Sequence, residues 1–149
     1  MKNSVRISII IAVATIVIAL ILVAIPATMT KVTKYTGVKR EFYMFDSDIP
    51  TINETTSGMP HDVFSIPSIT VMRGDMVVLH FFNVESVSPD SDSHSFTIWD
   101  KHYNINVVVK PGENKTISFN ATTSGIFPYI CTFHQPTMTG QLVVLEPTS

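Results

Sequence analysis

From about residue 40 onward, apolar and polar positions alternate in short blocks separated by turn-forming residues. "REFYMF" (40–45) reads as a first strand. "VFSIPSITVMRGDMVVLHFFNV" (63–84) reads as two strands joined at Arg73-Gly74-Asp75. "HSFTIW" (94–99), "NINVVVK" (104–110), "KTISFNA" (115–121), "GIFPYICTF" (125–133) and "GQLVVLE" (140–146) continue the series. Between them, "SVSPDSDS" (86–93) and "KPGEN" (110–114) carry turn chemistry, and residues 46–61, punctuated by Pro50, Gly58 and Pro60, read as an irregular segment. No amphipathic helical run appears in this part. Seven or eight β-branched-rich strands at such spacing predict an all-β fold, a two-sheet sandwich or a closed barrel.

The pattern changes at the N-terminus. Residues 7–29 hold no charge and only small or apolar side chains besides Ser8, Thr15 and Thr28. As a helix they would span roughly 34 Å, enough to cross a bilayer. A cleaved signal carries a shorter apolar stretch and small residues at −1 and −3. Cleavage after Ala27 would put Ile25 at −3, so a retained anchor is the preferred reading. This divides the chain into an N-terminal transmembrane anchor (1–30), a juxtamembrane linker (31–40) and one domain (41–149), with that domain on the extracytoplasmic side of a cell membrane.

Of ten basic residues, Lys2 and Arg6 lie in the leader, so the rest of the chain sets eight against twelve acidic ones, a formal −4. Basic residues cluster there only in residues 31–40, and nucleic-acid binding is not expected. The chain has one cysteine, Cys131, which excludes an internal disulfide. A lone thiol in an oxidising space is an oxidation hazard unless it is buried or bonded to a metal. Sequons at Asn53, Asn114 and Asn120 are only slightly more than the Asn, Ser and Thr content gives by chance.

Period-two alternation assigns faces. His94, Phe96 and Ile98 share one side of their strand, and Phe127, Tyr129 and Cys131 share one side of theirs. His94 and Cys131 therefore each stand at one end of an inward-facing apolar row. In "CTFHQPTM" (131–138), His134 follows Cys131 around a turn and Met138 precedes the final strand. Cysteine, two histidines and methionine form the ligand set of a mononuclear type 1 copper site: thiolate and imidazoles in a plane, with a weak thioether above it. Cys131 and His134 alone would also suit zinc, but methionine is a poor zinc ligand. Copper capture or delivery would call for more than this one cluster.

The segment "HSFTIW…KPGENKTISFNATTSGIFPYICTFH…MTGQLVVL" resembles the cupredoxins of the plastocyanin-like group. Within that group it is most similar to the nitrosocyanin-like and cytochrome c oxidase subunit II-like cupredoxins, including small membrane-anchored ones of ammonia-oxidising archaea. The resemblance covers residues 71–146 well and 40–70 loosely. It implies a Greek-key β-sandwich and one copper per chain held by His94, Cys131, His134 and Met138. It also implies electron transfer between a donor and an acceptor of a respiratory chain; the place of His134 in an exposed loop makes it the expected exit edge. The single cysteine excludes the binuclear centre of oxidase subunit II. Nitrosocyanin carries a glutamate where His94 stands and a further histidine, so this set favours the blue type. The other reading the resemblance offers is a redox enzyme acting on a nitrogen oxide at an open copper position.

The remaining histidines read as structural: His80 on a partly covered face with Val78 and Phe82, His102 in a turn, His61 in a loop. Asp90 and Asp92 read as turn residues.

Overall fold

A computed structural model describes residues 34–148. The segment expected to cross the membrane (7–29) lies outside the described residues. Among those described, no helix is long and apolar enough to cross a membrane.

Nine strands form two sheets: β1 (Lys39–Asp48), β2 (Asp62–Phe64), β3 (Ser68–Met72), β4 (Met76–Phe82), β5 (His94–Trp99), β6 (Asn104–Val109), β7 (Asn114–Asn120), β8 (Gly125–Ile130) and β9 (Thr139–Leu145). One sheet has the order β2-β1-β4-β7 and the other β3-β9-β8-β5-β6. β1 runs parallel to β4 and β3 parallel to β9, whereas every other pair is antiparallel. The all-β sandwich expected from the pattern is therefore present, with one strand more than the seven or eight predicted.

The extra strand comes from Val63–Met72, expected to be continuous. Pro67 has no N–H to give a ladder, and the chain leaves β2 in the four-stranded sheet to enter β3 in the five-stranded one. The segment expected to be irregular is also more ordered than its composition suggests. β1 continues to Asp48, and a one-turn helix, α1 (Glu54–Ser57), follows. Asn53 caps α1 by accepting from the Thr56 N–H, and Gly58 ends it in the left-handed conformation at φ 66°.

The core lies between the sheets. Val77, Leu79 and Phe81 point inward from β4, Phe96 and Ile98 from β5, Phe127 and Tyr129 from β8, and Leu142 and Val144 from β9. β5 departs from simple alternation because Ser95 and Thr97, on its other side, are also fully buried. Their hydroxyls are satisfied there: Ser95 Oγ lies 3.0 Å from Thr97 Oγ1, and Thr97 donates to Asn106 Oδ1 at 2.9 Å.

At the β3–β4 turn, the buried Asp75 carboxylate gathers the chain that leads into β1. It accepts from the Tyr35 hydroxyl, from the Val38 N–H at 2.9 Å, from the Met72 N–H at 3.0 Å and from Arg40 Nε at 3.2 Å. Burial pushes this carboxyl up, but those donors outweigh it and hold it down at about 2.

Candidate metal centre

At one pole of the sandwich β4 and β8 end and β5 begins. His94 is the first residue of β5, and Cys131 follows the last residue of β8. His134 and Met138 lie in the loop that leads into β9. The loop is tied at both ends. The Cys131 N–H donates to the Met138 carbonyl at 2.9 Å, and the Met138 N–H donates to the His134 carbonyl at 2.9 Å. Gln135 Nε2 donates to the Cys131 carbonyl at 2.8 Å and to the Met138 carbonyl at 3.2 Å.

This closure brings three of the four expected residues together. His94 Nδ1 lies 3.1 Å from His134 Nδ1, and Cys131 Sγ lies 3.5 Å from His134 Nδ1. His94, Cys131 and His134 can each offer a ligand atom within 4.8 Å of the others, and all three are buried. The Ser95 N–H donates to Cys131 Sγ at 3.3 Å. Ser95 Oγ in turn accepts from the Thr132 N–H at 2.9 Å, locking the start of β5 to the loop after β8. Met138 is fully buried and belongs to the same core as Cys131. The other histidines stay outside the cluster. His80 bridges Glu41 and Thr116 on the outer face of its sheet, His102 meets Thr123, and His61 pairs with Glu54.

His134 is not the exposed edge that its loop position suggested. It is only 7% exposed, and the neighbouring Phe133, 53% exposed, is what faces solvent. Carboxylates enclose the imidazole: its Nε2 lies 3.6 Å from Asp62 Oδ2 and 3.6 Å from Asp92 Oδ2. The Nε2 of His94 faces Glu85 Oε1 at 3.0 Å, with Asp46 and Asp62 behind it. Asp92, read from the sequence as a turn residue only, faces His134. Asp46, Asp62 and Glu85 were not expected at the site, although alternation held a signal for two of the four. Phe42, Met44 and Asp46 form one row of β1, and Asp62 shares a side of β2 with the core residue Phe64. Glu85 and Asp92 carried no such signal, being placed by the 83–93 loop. There Asn83 Nδ2 donates to the Asp92 carbonyl at 2.8 Å, and the Asp92 N–H donates to Glu85 Oε2 at 2.7 Å.

The electrostatics suit a metal-binding thiolate. Burial pushes the Cys131 thiol up, but hydrogen bonds from His134 and His94 and from the Ser95 and Phe133 backbone outweigh it, bringing it down to about 5. Its hydrogen bond to Cys131 pushes His134 up to about 9 against the opposing effect of burial, with help from Asp62 and Asp92. A thiolate and two Nδ1 atoms converge on one point, as a thiophilic cation requires. The buried Asp62 Oδ2 has no hydrogen-bond partner. With Nδ1 on a metal, Nε2 carries the ring proton and points toward that oxygen, an arrangement common for metal-bound histidines. The residues present therefore fit the group.

A two-sheet sandwich with a buried Cys-His-His cluster at one pole defines the class. A family model described as the cupredoxin-like domain matches residues 16–144, and the chain belongs to that family. Solved structures with a similar fold include the copper nitrite reductase of Nitrosomonas europaea, at 22% identity and TM-score 0.53, covering 72% of this chain and 42% of that one. The blue copper oxidase of the same organism is similar at 23% identity and TM-score 0.52, covering 74% and 40%. Auracyanin A, a "blue" copper protein of Chloroflexus aurantiacus, is similar at 19% identity and TM-score 0.51, covering 71% of this chain and 98% of that one. The chain thus spans about two fifths of the first two proteins.

Proposed function

We propose that the chain is a single-copper electron carrier whose metal would be held by His94, Cys131 and His134, with the Met138 thioether as a further, weaker ligand. The observation that carries this is the convergence of Cys131 Sγ and two imidazole Nδ1 atoms in a buried cluster, 3.1 and 3.5 Å apart where they meet at His134. Bound there, copper supplies a one-electron Cu(II)/Cu(I) couple. The chain's own residues do the rest. Cys131 offers the strongest donor and a through-bond route into β8. The N–H of Ser95 offsets the sulfur's charge, and the tied 131–138 loop keeps the donor set from rearranging between oxidation states. Met138, buried in the core and tied to Cys131 and His134 through its backbone, would complete the donor set.

The exposed Phe133 ring lies 6.5 Å, centroid to centroid, from His134. It gives a partner an apolar landing point next to a ligand. The proposed partners are an electron donor and an acceptor of a respiratory chain. The uncharged segment 7–29 is proposed to anchor the chain, with residues 41–149 on the extracytoplasmic face. Anchoring would confine encounters to the membrane surface and raise the partners' effective concentration.

The test is a reductive titration of the copper-loaded full chain, repeated with azide and with nitrite. An electron carrier cycles reversibly by one electron per chain with a spectrum indifferent to both anions. A spectrum that shifts with either anion would replace this reading with a nitrogen-oxide redox enzyme at an open site. Cycling lost without copper uptake would remove both.

A further inference from the structure

The outer edges of the two cluster imidazoles face a group of carboxylates. His94 Nε2 lies 3.0 Å from Glu85 Oε1, 3.7 Å from Asp46 Oδ2 and 3.8 Å from Asp62 Oδ1. His134 Nε2 lies 3.6 Å from the other oxygen of Asp62 and 3.6 Å from Asp92. Asp46 and Asp62 are buried and Glu85 is partly so. Among the described residues, the ion pairs formed by Lys and Arg involve Glu41, Asp75, Glu113 and Glu146, and none reaches this group. Carboxylates buried without a Lys or Arg partner are costly unless another positive charge faces them, and here the two rings offer it, on an imidazolium or on a bound metal. Their placement becomes reasonable if positive charge resides there.

We infer that Glu85 and Asp62 are positioning residues of the metal centre, acting through His94 and His134. This rests on the copper reading above. Glu85 takes the Nε2 of His94 at hydrogen-bond distance and so turns its Nδ1 toward the cluster. Asp62 presents one oxygen to each ring, at 3.8 and 3.6 Å, and acts on them through its charge. As negative charges across one imidazole from the metal, they favour Cu(II) over Cu(I); burial raises the Asp62 carboxyl, and the positive charge at His134 and His94 opposes that rise. Asp46 is held differently, since its Oδ1 accepts the Val84 N–H at 2.7 Å, and it anchors the loop that presents Glu85. A separate cation on Asp46, Glu85 and His94 would need the same Nε2. With Nδ1 turned into the Cys131–His134 cluster, that nitrogen is left as the proton-bearing edge that donates to Glu85.

A unit charge at this distance, screened at an effective dielectric of about 20, is enough to alter the relative affinity for the two oxidation states about tenfold. For a one-electron couple, about tenfold corresponds to about 59 mV. The experiment measures the reduction potential and the thiolate-to-copper absorption band of the copper-loaded full chain beside Glu85→Gln and Asp62→Asn at neutral pH. Asp62 Oδ2 has no hydrogen-bond partner to lose, so Asp62→Asn reports even if Glu85→Gln disturbs the loop through the Asp92 N–H. The expected result is an intact band with a potential raised by about tenfold in relative affinity in either variant. An intact band with neither potential raised overturns the inference and leaves the copper reading standing. No band in the unaltered chain overturns both.

Discussion

Replacing Gly140 with alanine should destabilise the fold, although alanine is normally the more favourable residue. Gly140 pairs with Tyr129 across the β8–β9 ladder, and its φ is not positive. The backbone there accepts any residue, and Gly→Ala at such a position ordinarily stabilises by about 0.4–1 kcal/mol. A Cβ at residue 140, however, would lie within 3.0 Å of the Tyr129 ring and hydroxyl. The ring has nowhere to go. It is fully buried, with ring centroids 5.2 Å from Phe64 and 5.0 Å from Phe96, and its hydroxyl donates to the Ile66 carbonyl. Overpacking of this kind costs about 1–3 kcal/mol, and losing the buried hydroxyl's hydrogen bond adds about 1 kcal/mol. Set against the ordinary gain of about 0.4–1 kcal/mol, the net cost is about 1–3.5 kcal/mol, a large share of a stability of about 5–15 kcal/mol. Denaturant unfolding of the metal-free chain measures it directly, from the shift in midpoint at constant slope. Adding Tyr129→Leu should give a strongly non-additive pair, because the two changes act on one contact. A Gly140→Ala variant as stable as the parent, or more stable, would refute the reasoning about this packing.

Three further outcomes are expected. Met138→Leu nearly conserves volume in the core and should cost under about 1.5 kcal/mol while changing the copper spectrum and raising the potential. An unchanged spectrum would remove Met138 from the ligand set. Asp75→Ala strands the Val38 and Met72 N–H groups and releases Tyr35 and Arg40, and should lower stability by about 3–5 kcal/mol in chemical denaturation. The pH dependence of the metal-free chain follows from Cys131, held down at about 5, and His134, raised to about 9. Between an unfolded histidine value of about 6.5 and an unfolded thiol value of about 8.5, both states hold one proton on this pair, so the pair adds no slope there. Any slope in that range comes from other groups such as the raised His94 and His61. Below about 6.5 the unfolded chain holds two and the folded chain one. Stability should therefore fall by about 1.4 kcal/mol per pH unit from about 6.5 down to the lowered thiol value. Unfolding midpoints taken across that window should show the slope, and Cys131→Ser should lose it. A slope that survives in the variant would assign it to other groups.

What local pattern could reveal was the strand content and the inward rows. His94 at the head of Phe96 and Ile98, and Cys131 at the end of Phe127 and Tyr129, follow from period two. Three residues of separation then bring His134 back over Cys131. The cupredoxin resemblance drew on the same residues. The partnering of the strands was not legible, because β1 finds β4 and β3 finds β9 in parallel across long stretches of sequence, where turn chemistry gives no guidance. The break at Pro67 was a signal that the long apolar run obscured. The carboxylates were missed for a different reason. Asp46 and Asp62 sit in turn-like composition, and alternation places them inward only once β1 is known to run on to Asp48 and β2 to begin at Asp62. The enclosure of His134 had the same origin, since the residues that cover it come from distant segments.

The central claim is a metal bound by Cys131 between His94 and His134. The most direct measurement is the visible absorption and EPR spectrum of the chain loaded with Cu(II), beside the same spectrum of Cys131→Ser. The expected result is one copper per chain, an intense thiolate-to-copper band with narrow copper hyperfine splitting, and the loss of both spectral features in the variant. Copper bound with the same spectrum in both proteins, or no copper bound with Cys131 intact, would contradict it.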